Sequence, residues 1–355
     1  MKLEFRRFDL SLKHTWTIST AAKSGGGSVT APTFLVRLSD GNFSGLGEAP
    51  TARRYGEMPP RIENFLHRVD ASKLSFADIA GSMAYLESLS DPSSSAKCAF
   101  NAALMDGAAR AAGKAIYDHL GLGFTENKHI TSMTIGIDTP QRVREKTIEA
   151  EPFPALKLKV GVPQDRENMA ALRSVAPTKK VRVDANEGWA TKEEALREIE
   201  WLARDEHVEF VEQPMHASTP PADIAWLKAR SPLPIFGDES YIDASNAALC
   251  AECYHGVNVK LVKTCGISGA FEALKAARQA GLKTMIGCMI ESSILISAAA
   301  HLAELTDYLD IDGNILISND PYAGPTSDAG IVSFAHTAAQ TGLRVQPRSG
   351  DPFAA

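Results

Sequence analysis

From residue 130 onward, short apolar segments alternate with amphipathic helical ones, and most of the apolar segments end on charged residues. Few folds accommodate both features. ALKLKV precedes DRENMAALRSVA, VRVDAN precedes TKEEALREIEWLARD, FVEQP precedes ADIAWLKAR, and PIFGDES precedes ASNAALCAECY. NVKLVK, TMIGCMIES and YLDID continue the series, with GAFEALKAARQAG and ILISAAAHLAELT between them. Short apolar runs read as buried strands, and the longer segments carry helical periodicity. Thr191 with Glu194 forms a capping box at one helix start. Strand, helix, strand with short connections means parallel strands joined by crossovers. About seven such units close into a (β/α)7β-type TIM barrel, with MTIGI at 133–137 as its first strand. An open doubly wound sheet ranks second, because its glycine-rich first turn is absent.

The first third has another texture. EFRRFDLSL and FLVRLSDGNFSGLGEA read as strands, with Asp40-Gly41 as a turn. Between them TAAKSGGGSVTAP lacks periodicity and reads as a mobile loop. Its GGGS is followed by no Gly-Lys-Ser/Thr, which excludes a phosphate loop. Residues 57–122 carry helical periodicity. The expected division is an α+β domain over 1–125 and a barrel over 126–324. The Gly- and Pro-rich residues 325–355 are expected to return to the first domain.

A net charge of −6 argues against nucleic-acid and anionic-membrane partners. The N-terminus alternates charged and apolar residues and has no signal-peptide core, and no stretch is apolar for long enough to span a bilayer. Five scattered cysteines suit reduced thiols in a cytoplasmic protein. Cys250 and Cys253 form a lone C-x-x-C that reads as a helix face, not a zinc site. A homo-oligomer is compatible with all of this.

Lys159, Asp184, Glu212, Asp238 and Lys263 follow one another at intervals of 25, 28, 26 and 25 residues. Each interval is one strand, one helix and their loops, so consecutive strands deliver charges to one end of the sheet. In a parallel barrel the C-terminal end holds the active site. A single acid after a strand is ordinarily a helix cap, and a single lysine there a solvated rim charge. Five in register call for another explanation. Three carboxylates make an all-oxygen site that suits Mg²⁺ and leaves positions open. Lys157 and Lys159 lie two apart and share a face; Lys263 stands on the other side of the acids. Like-charge repulsion and burial both favour the neutral amine that a base requires. A metal on the substrate carboxylate would stabilise an enolate, and one lysine on each face would invert the carbon.

K-x-K (157–159), D-A-N (184–186), V-E-Q-P (211–214), G-D-E-S (237–240) and K-L-V-K (260–263) resemble the motifs of the enolase superfamily, muconate-lactonizing subgroup. GLGEAP (45–50) extends the resemblance into an N-terminal capping domain. The resemblance implies Asp184, Glu212 and Asp238 as Mg²⁺ ligands and Lys159 and Lys263 as the acid/base pair. It implies Lys157 beside the substrate carboxylate. Lys260 ranks below Lys263, since three residues earlier on a regular strand it would face away. Glu239 is expected to support the ligands at most.

Asp310-Ile311-Asp312 narrows the reaction. As an EF-hand it fails on glycine position, and an Asx-turn accounts for Asp312 alone. The pair resembles the Asp-x-Asp with which dipeptide epimerases hold the substrate's free α-amino group. The expected substrate is therefore a dipeptide, inverted at its C-terminal residue. N-acylamino acid racemase, cycloisomerase and non-catalytic binding barrel are the alternatives. In relatives that prefer Ala-Glu the loop near residue 20 offers an arginine. Here it offers only Lys23, the candidate contact for an acidic side chain, while Arg53 and Arg54 read as surface charge.

Overall fold

A computed structural model describes residues 1–17 and 26–354. β1 (Lys2–Trp16), β2 (Ser28–Ser39) and β3 (Ser44–Pro50) form an antiparallel sheet in that order. Asp40 Oδ1 accepts from the backbone N–H groups of Asn42 and Phe43, and Gly41 takes φ 94°, which builds the turn at Asp40-Gly41. Of the segment expected to be a loop, residues 20–25 lie outside the described residues, and 28–32 belong to a strand. β2 already begins at Ser28, which pairs with Trp16, so β1 gives the Ser-Val-Thr run a ladder that composition does not reveal.

Three longer helices follow, α1 (Pro59–Arg68), α2 (Ile79–Ser88) and α3 (Ser94–Ala111), and then a single short turn of helix at Ile116–His119. Ser93 caps α3 by accepting from Ala96 N, and most of α3 is buried against the sheet. Glycines make this contact close. A Cβ on Gly45 or Gly47 would stand 1.9 Å from the carbonyl oxygens of Ala103 and Ala99 respectively.

The rest is an eight-stranded parallel sheet in sequential order. Its strands are β4 (Met133–Ile135), β5 (Ala155–Lys159), β6 (Lys180–Asp184), β7 (Val208–Glu212), β8 (Ile235–Gly237), β9 (Gly256–Lys260), β10 (Lys283–Gly287) and β11 (Tyr308–Asp310). Seven helices alternate with them: α4 (Pro140–Glu149), α5 (Asp165–Arg173), α6 (Lys192–Leu202), α7 (Pro221–Lys228), α8 (Ala247–Cys253), α9 (Ile267–Gln279) and α10 (Ser293–Ala300). A parallel bridge from Thr131 to Leu309 nearly closes the ring, giving the (β/α)7β barrel. Residues facing the helices build one continuous apolar core, including Leu156, Leu158, Val183, Val211 and Val259. Inside the barrel Phe210, Phe236 and Met285 form a separate apolar layer, with Tyr308 packed against it. The Phe210 and Phe236 rings stack at 4.2 Å. Gly256 makes room, since a Cβ there would meet the Phe236 ring at 2.4 Å.

Beyond the barrel, Tyr322–Ala323 pairs with Gln346–Pro347. Asp351 meets Arg37 of the first sheet at 2.9 Å, and Leu343 N donates to Asp106 on α3 at 2.7 Å. None of the described helices is long and apolar enough to cross a membrane. All five cysteines are free thiols, with Cys250 and Cys253 buried on α8.

Candidate active site

Five barrel strands end on a charged residue that belongs to one layer, Asp310 closing β11 among them. Lys159 closes β5, Asp184 closes β6, Glu212 closes β7 and Lys260 closes β9, while Asp238 directly follows β8. Lateral pairing puts Lys159 beside Asp184 and Asp184 beside Glu212. On the far side Gly287 stands between Lys260 and Asp310. Because side chains alternate along a strand, residues two earlier share the inward face: Lys157 behind Lys159, and Asn258 behind Lys260.

These groups touch. Lys159 Nζ lies 2.6 Å from Asp184 Oδ2. Lys157 Nζ is held between Asp310 at 2.6 Å, Glu212 at 2.7 Å and Asp184 at 3.0 Å. Glu212 Oε1 accepts from the Asn258 amide at 2.8 Å, whereas Oε2 receives no well-directed hydrogen bond and has only that ammonium beside it. Lys260 Nζ lies 2.7 Å from Asp238 Oδ2. Lys263 Nζ donates to Asp238 Oδ1 at 2.6 Å, to the Asp238 carbonyl at 2.5 Å and to the Asn258 carbonyl at 2.9 Å.

The expectation that Lys260 turns away from the site does not hold. β9 ends at Lys260 and a turn follows, so the strand alternation that favoured Lys263 does not reach it. The Lys260 side chain keeps 10% of its surface exposed and the Lys263 side chain none, its three N–H bonds all spent on protein oxygens. Burial pushes the Lys263 amine below its ordinary value. Burial acts in the same sense on Lys260 but is outweighed by Asp238, which holds that ammonium well above the usual range. The two therefore differ in surroundings: Lys260 keeps part of its side chain exposed, and Lys263 is sealed among protein oxygens.

The acids divide as well. Burial works against ionised Asp184, but Lys157 and Lys159 outweigh it and bring its carboxyl down to about 2. Asp238 is likewise held below the usual range by Lys260 and Lys263. Burial and the Asp184 charge push Glu212 up to about 7, and burial with Asp238 pushes Glu239 up to about 8. Asp310 accepts from Ser132 Oγ at 2.9 Å and Asp312 from Thr134 N at 2.7 Å. Burial and Asp310 push Asp312 up to about 6.

Among the described residues, no three carboxylate, imidazole or thiolate groups stand ready to chelate one ion. Asp184 and Glu212 converge on the Lys157 ammonium, while Asp238 is turned to its own two lysines. The residues nevertheless fit magnesium. The donors are all hard oxygens, and Glu212 Oε2 lacks a directed hydrogen bond. Besides being buried, the carboxyls crowd one another enough that Glu212 and Glu239 are pushed up to about 7 and about 8, a repulsion that a bound divalent cation would relieve.

Support for these groups came partly from residues that the charge pattern passed over. Gln213 sits at φ 36°, in the left-handed region; its Oε1 accepts from Asp238 N at 2.9 Å and its Nε2 donates to the Met215 carbonyl at 2.7 Å. Ser132 and Asn258 were also missed, although Asn258, two residues before Lys260, was findable by strand alternation. Arg54 is more than surface charge, since it grips Glu187 bidentately at 2.7 and 2.8 Å. Arg53 is exposed. Trp16 lies with its ring centroid 6.0 Å from Lys159 Nζ. Lys23 lies outside the described residues.

Residues 140–327 match the family model described as enolase C-terminal domain-like. The chain is 60% identical over 349 residues to the L-Ala-D/L-amino acid epimerase of Pedosphaera parvula, covering 98% of this chain and all of that protein. It superposes on the substrate-liganded L-Ala-D/L-Glu epimerase from Bacillus subtilis with TM-score 0.87 at 27% identity, covering 97% of both chains. The dipeptide epimerase from Enterococcus faecalis complexed with Mg and L-Leu-L-Tyr gives TM-score 0.85 at 28% identity, covering 97% of this chain and 98% of that one. An isomerase by its relatives, the chain belongs to the enolase superfamily, in its group of dipeptide epimerases.

Proposed function

We propose that the chain is a magnesium-dependent epimerase that inverts the α-carbon of the C-terminal residue of a dipeptide by two-lysine proton transfer. The observation that carries this reading is the position of the two accessible lysines. Lys159 on β5 and Lys260 on β9 are four strands apart in an eight-stranded ring, so they face one another across the barrel mouth. Each leans on a different acid, Asp184 or Asp238. A planar carbon between them meets an amine on either face.

In this reading one lysine, as the free amine, takes the α-proton, and the other, as ammonium, returns a proton from the opposite side. Asp184, Glu212 and Asp238 would hold Mg²⁺, which when bound supplies positive charge for the substrate carboxylate as it takes on enolate character. Lys157 adds a fixed ammonium beside the same carboxylate. Lys263 positions Asp238 and does not itself touch the substrate. Asp310 and Asp312, at the end of β11, would accept the substrate's free α-ammonium group. Arg54, occupied by Glu187, is not free to grip an acidic side chain. That accords with a relative named for L-Ala-D/L-amino acids, and we place L-Ala dipeptides with varied second residues among the substrates.

Incubating the protein with dipeptides, Mg²⁺ and D₂O should place deuterium at the α-carbon of the second residue. Lys159→Ala and Lys260→Ala should each abolish net inversion while retaining exchange from opposite epimers. Loss of exchange from the same epimer in both variants would refute the two-faced mechanism.

A further inference from the structure

At the other end of the barrel, where β5, β6, β7 and β11 begin, lies a cavity of about 510 Å³ that the chemistry above does not use. The Phe210–Phe236 stack stands between it and the catalytic layer, so the two ends are separate compartments. The volume falls within the range of small-molecule sites.

The cavity wall is charged in one sense. Lys128, Lys179, Lys180 and Arg182 line it together with only two acids, Glu209 and Asp307. Both acids are engaged: Asp307 by Lys283 and the Thr284 N–H, each at 2.9 Å, and Glu209 by Arg182 Nε at 3.0 Å. Lys128 is spent on Glu304. Lys179 is not matched by an acid among the described residues; its ammonium donates to the Glu151 carbonyl. Lys180 lies 3.4 Å from the already engaged Glu209, with 66% of its side chain exposed.

Arg182 forms the floor. Its side chain is 7% exposed, with the guanidinium carbon 4.9 Å from the Tyr308 ring centroid. Nε is bound to Glu209 and Nη1 donates to the Leu309 carbonyl at 2.7 Å. Nη2 makes no hydrogen bond among the described residues. A rigid guanidinium with one unspent edge, rimmed by two under-compensated lysines, is an arrangement that holds an oxyanion by charge-assisted hydrogen bonds. We propose that the N-terminal mouth of the barrel binds a small molecule bearing an oxyanion, either carboxylate or phosphate, on Arg182, Lys179 and Lys180.

Isothermal titration of the full, Mg²⁺-loaded chain at constant ionic strength, with inorganic phosphate and with succinate as separate probes and chloride as control, tests this. Saturable binding of phosphate assigns a phosphorylated ligand, and saturable binding of succinate a carboxylate one. In either case the Lys179→Gln/Lys180→Gln double variant, changed only at the rim, should bind about tenfold more weakly, as expected for losing about 1.4 kcal/mol of contact. Arg182→Lys should weaken binding similarly, and Lys159→Ala at the catalytic end should leave it unchanged. No saturable binding of either probe, or binding that survives the rim substitutions and disappears with Lys159→Ala, overturns the proposal.

Discussion

The most informative side chains are two lysines three residues apart that serve one carboxylate in different ways. Lys260 rests its ammonium on Asp238 with part of its side chain exposed, whereas Lys263 spends every donor on fixed oxygens. Lys260→Ala should therefore lower turnover by about 10²–10⁴-fold, the range of a lost general acid or base. Lys263→Gln should chiefly weaken Mg²⁺ affinity, by about 10–100-fold, with turnover largely restored at saturating metal. Titrating activity against Mg²⁺ in both variants separates the two roles; a turnover defect in Lys263→Gln that metal does not relieve would reverse the assignment. Replacing Asp310 and Asp312 by Asn should depress kcat/KM for dipeptides far more than for N-acylated amino acids, and equal losses would remove the ammonium-binding role. At this scale the sequence was readable wherever charge fell on a strand end: Lys157, Lys159, Asp184, Glu212 and Asp238 all lie in the layer expected of them. It was unreadable where β9 gave way to a turn, because spacing alone does not show where pleating stops. Ser132 and Gln213 were hidden for a related reason, since uncharged polar residues near strand ends have no distinguishing pattern.

Among elements, the contact of α3 with β3 is the least forgiving. The sheet carries glycine at 45 and 47, where any side chain would enter the backbone carbonyls of Ala103 and Ala99. Gly47→Ala should destabilise the protein by about 1–3 kcal/mol through overpacking, read as a lower midpoint in urea with an unchanged slope. The glycines in GLGEAP could be quoted from the sequence, but the helix they admit could not be named, because it lies some fifty residues further on. Barrel strands were easier. Each carried apolar residues facing its neighbouring helices and was followed closely by a helical segment. The start of β2 was misjudged because a ladder partner, not local composition, makes Ser28–Pro32 a strand.

The whole molecule couples stability to pH through His301. The ring is buried, accepts from Tyr117 N and stacks on Phe334 at 4.7 Å, and burial brings its pKa down to about 3. The unfolded chain takes up a proton on this ring near pH 6.5 and the folded one does not, so the ring's own contribution to stability declines as pH falls from about 6.5 toward 3, against the opposite trend of buried carboxyls such as Glu239 and Glu291. At pH 5 the loss is about 2 kcal/mol, taking 1.36 kcal/mol per unit over the interval. His301→Leu should gain stability relative to the parent as pH falls from 7 to 5, and an unchanged difference between the two curves would acquit the histidine. Removing Mg²⁺ with a chelator should abolish deuterium exchange and leave far-ultraviolet circular dichroism intact, because the barrel strands carry their own apolar core. The barrel and its partner domain were legible as architecture, since alternation of segment type is a long-range signal that survives errors at individual boundaries.

The stacked phenylalanines inside the barrel make the reaction chamber a dead end with one doorway. In the proposed reaction, solvent hydrogen would reach the two amines from the barrel mouth, where a seated peptide would stand in its way. A proton lifted by one amine then has little chance to mingle with bulk water before the next reversal. Repeated reversals within one visit should return a measurable share of the original hydrogen, and that share should fall when Phe236→Ala opens a back way for water.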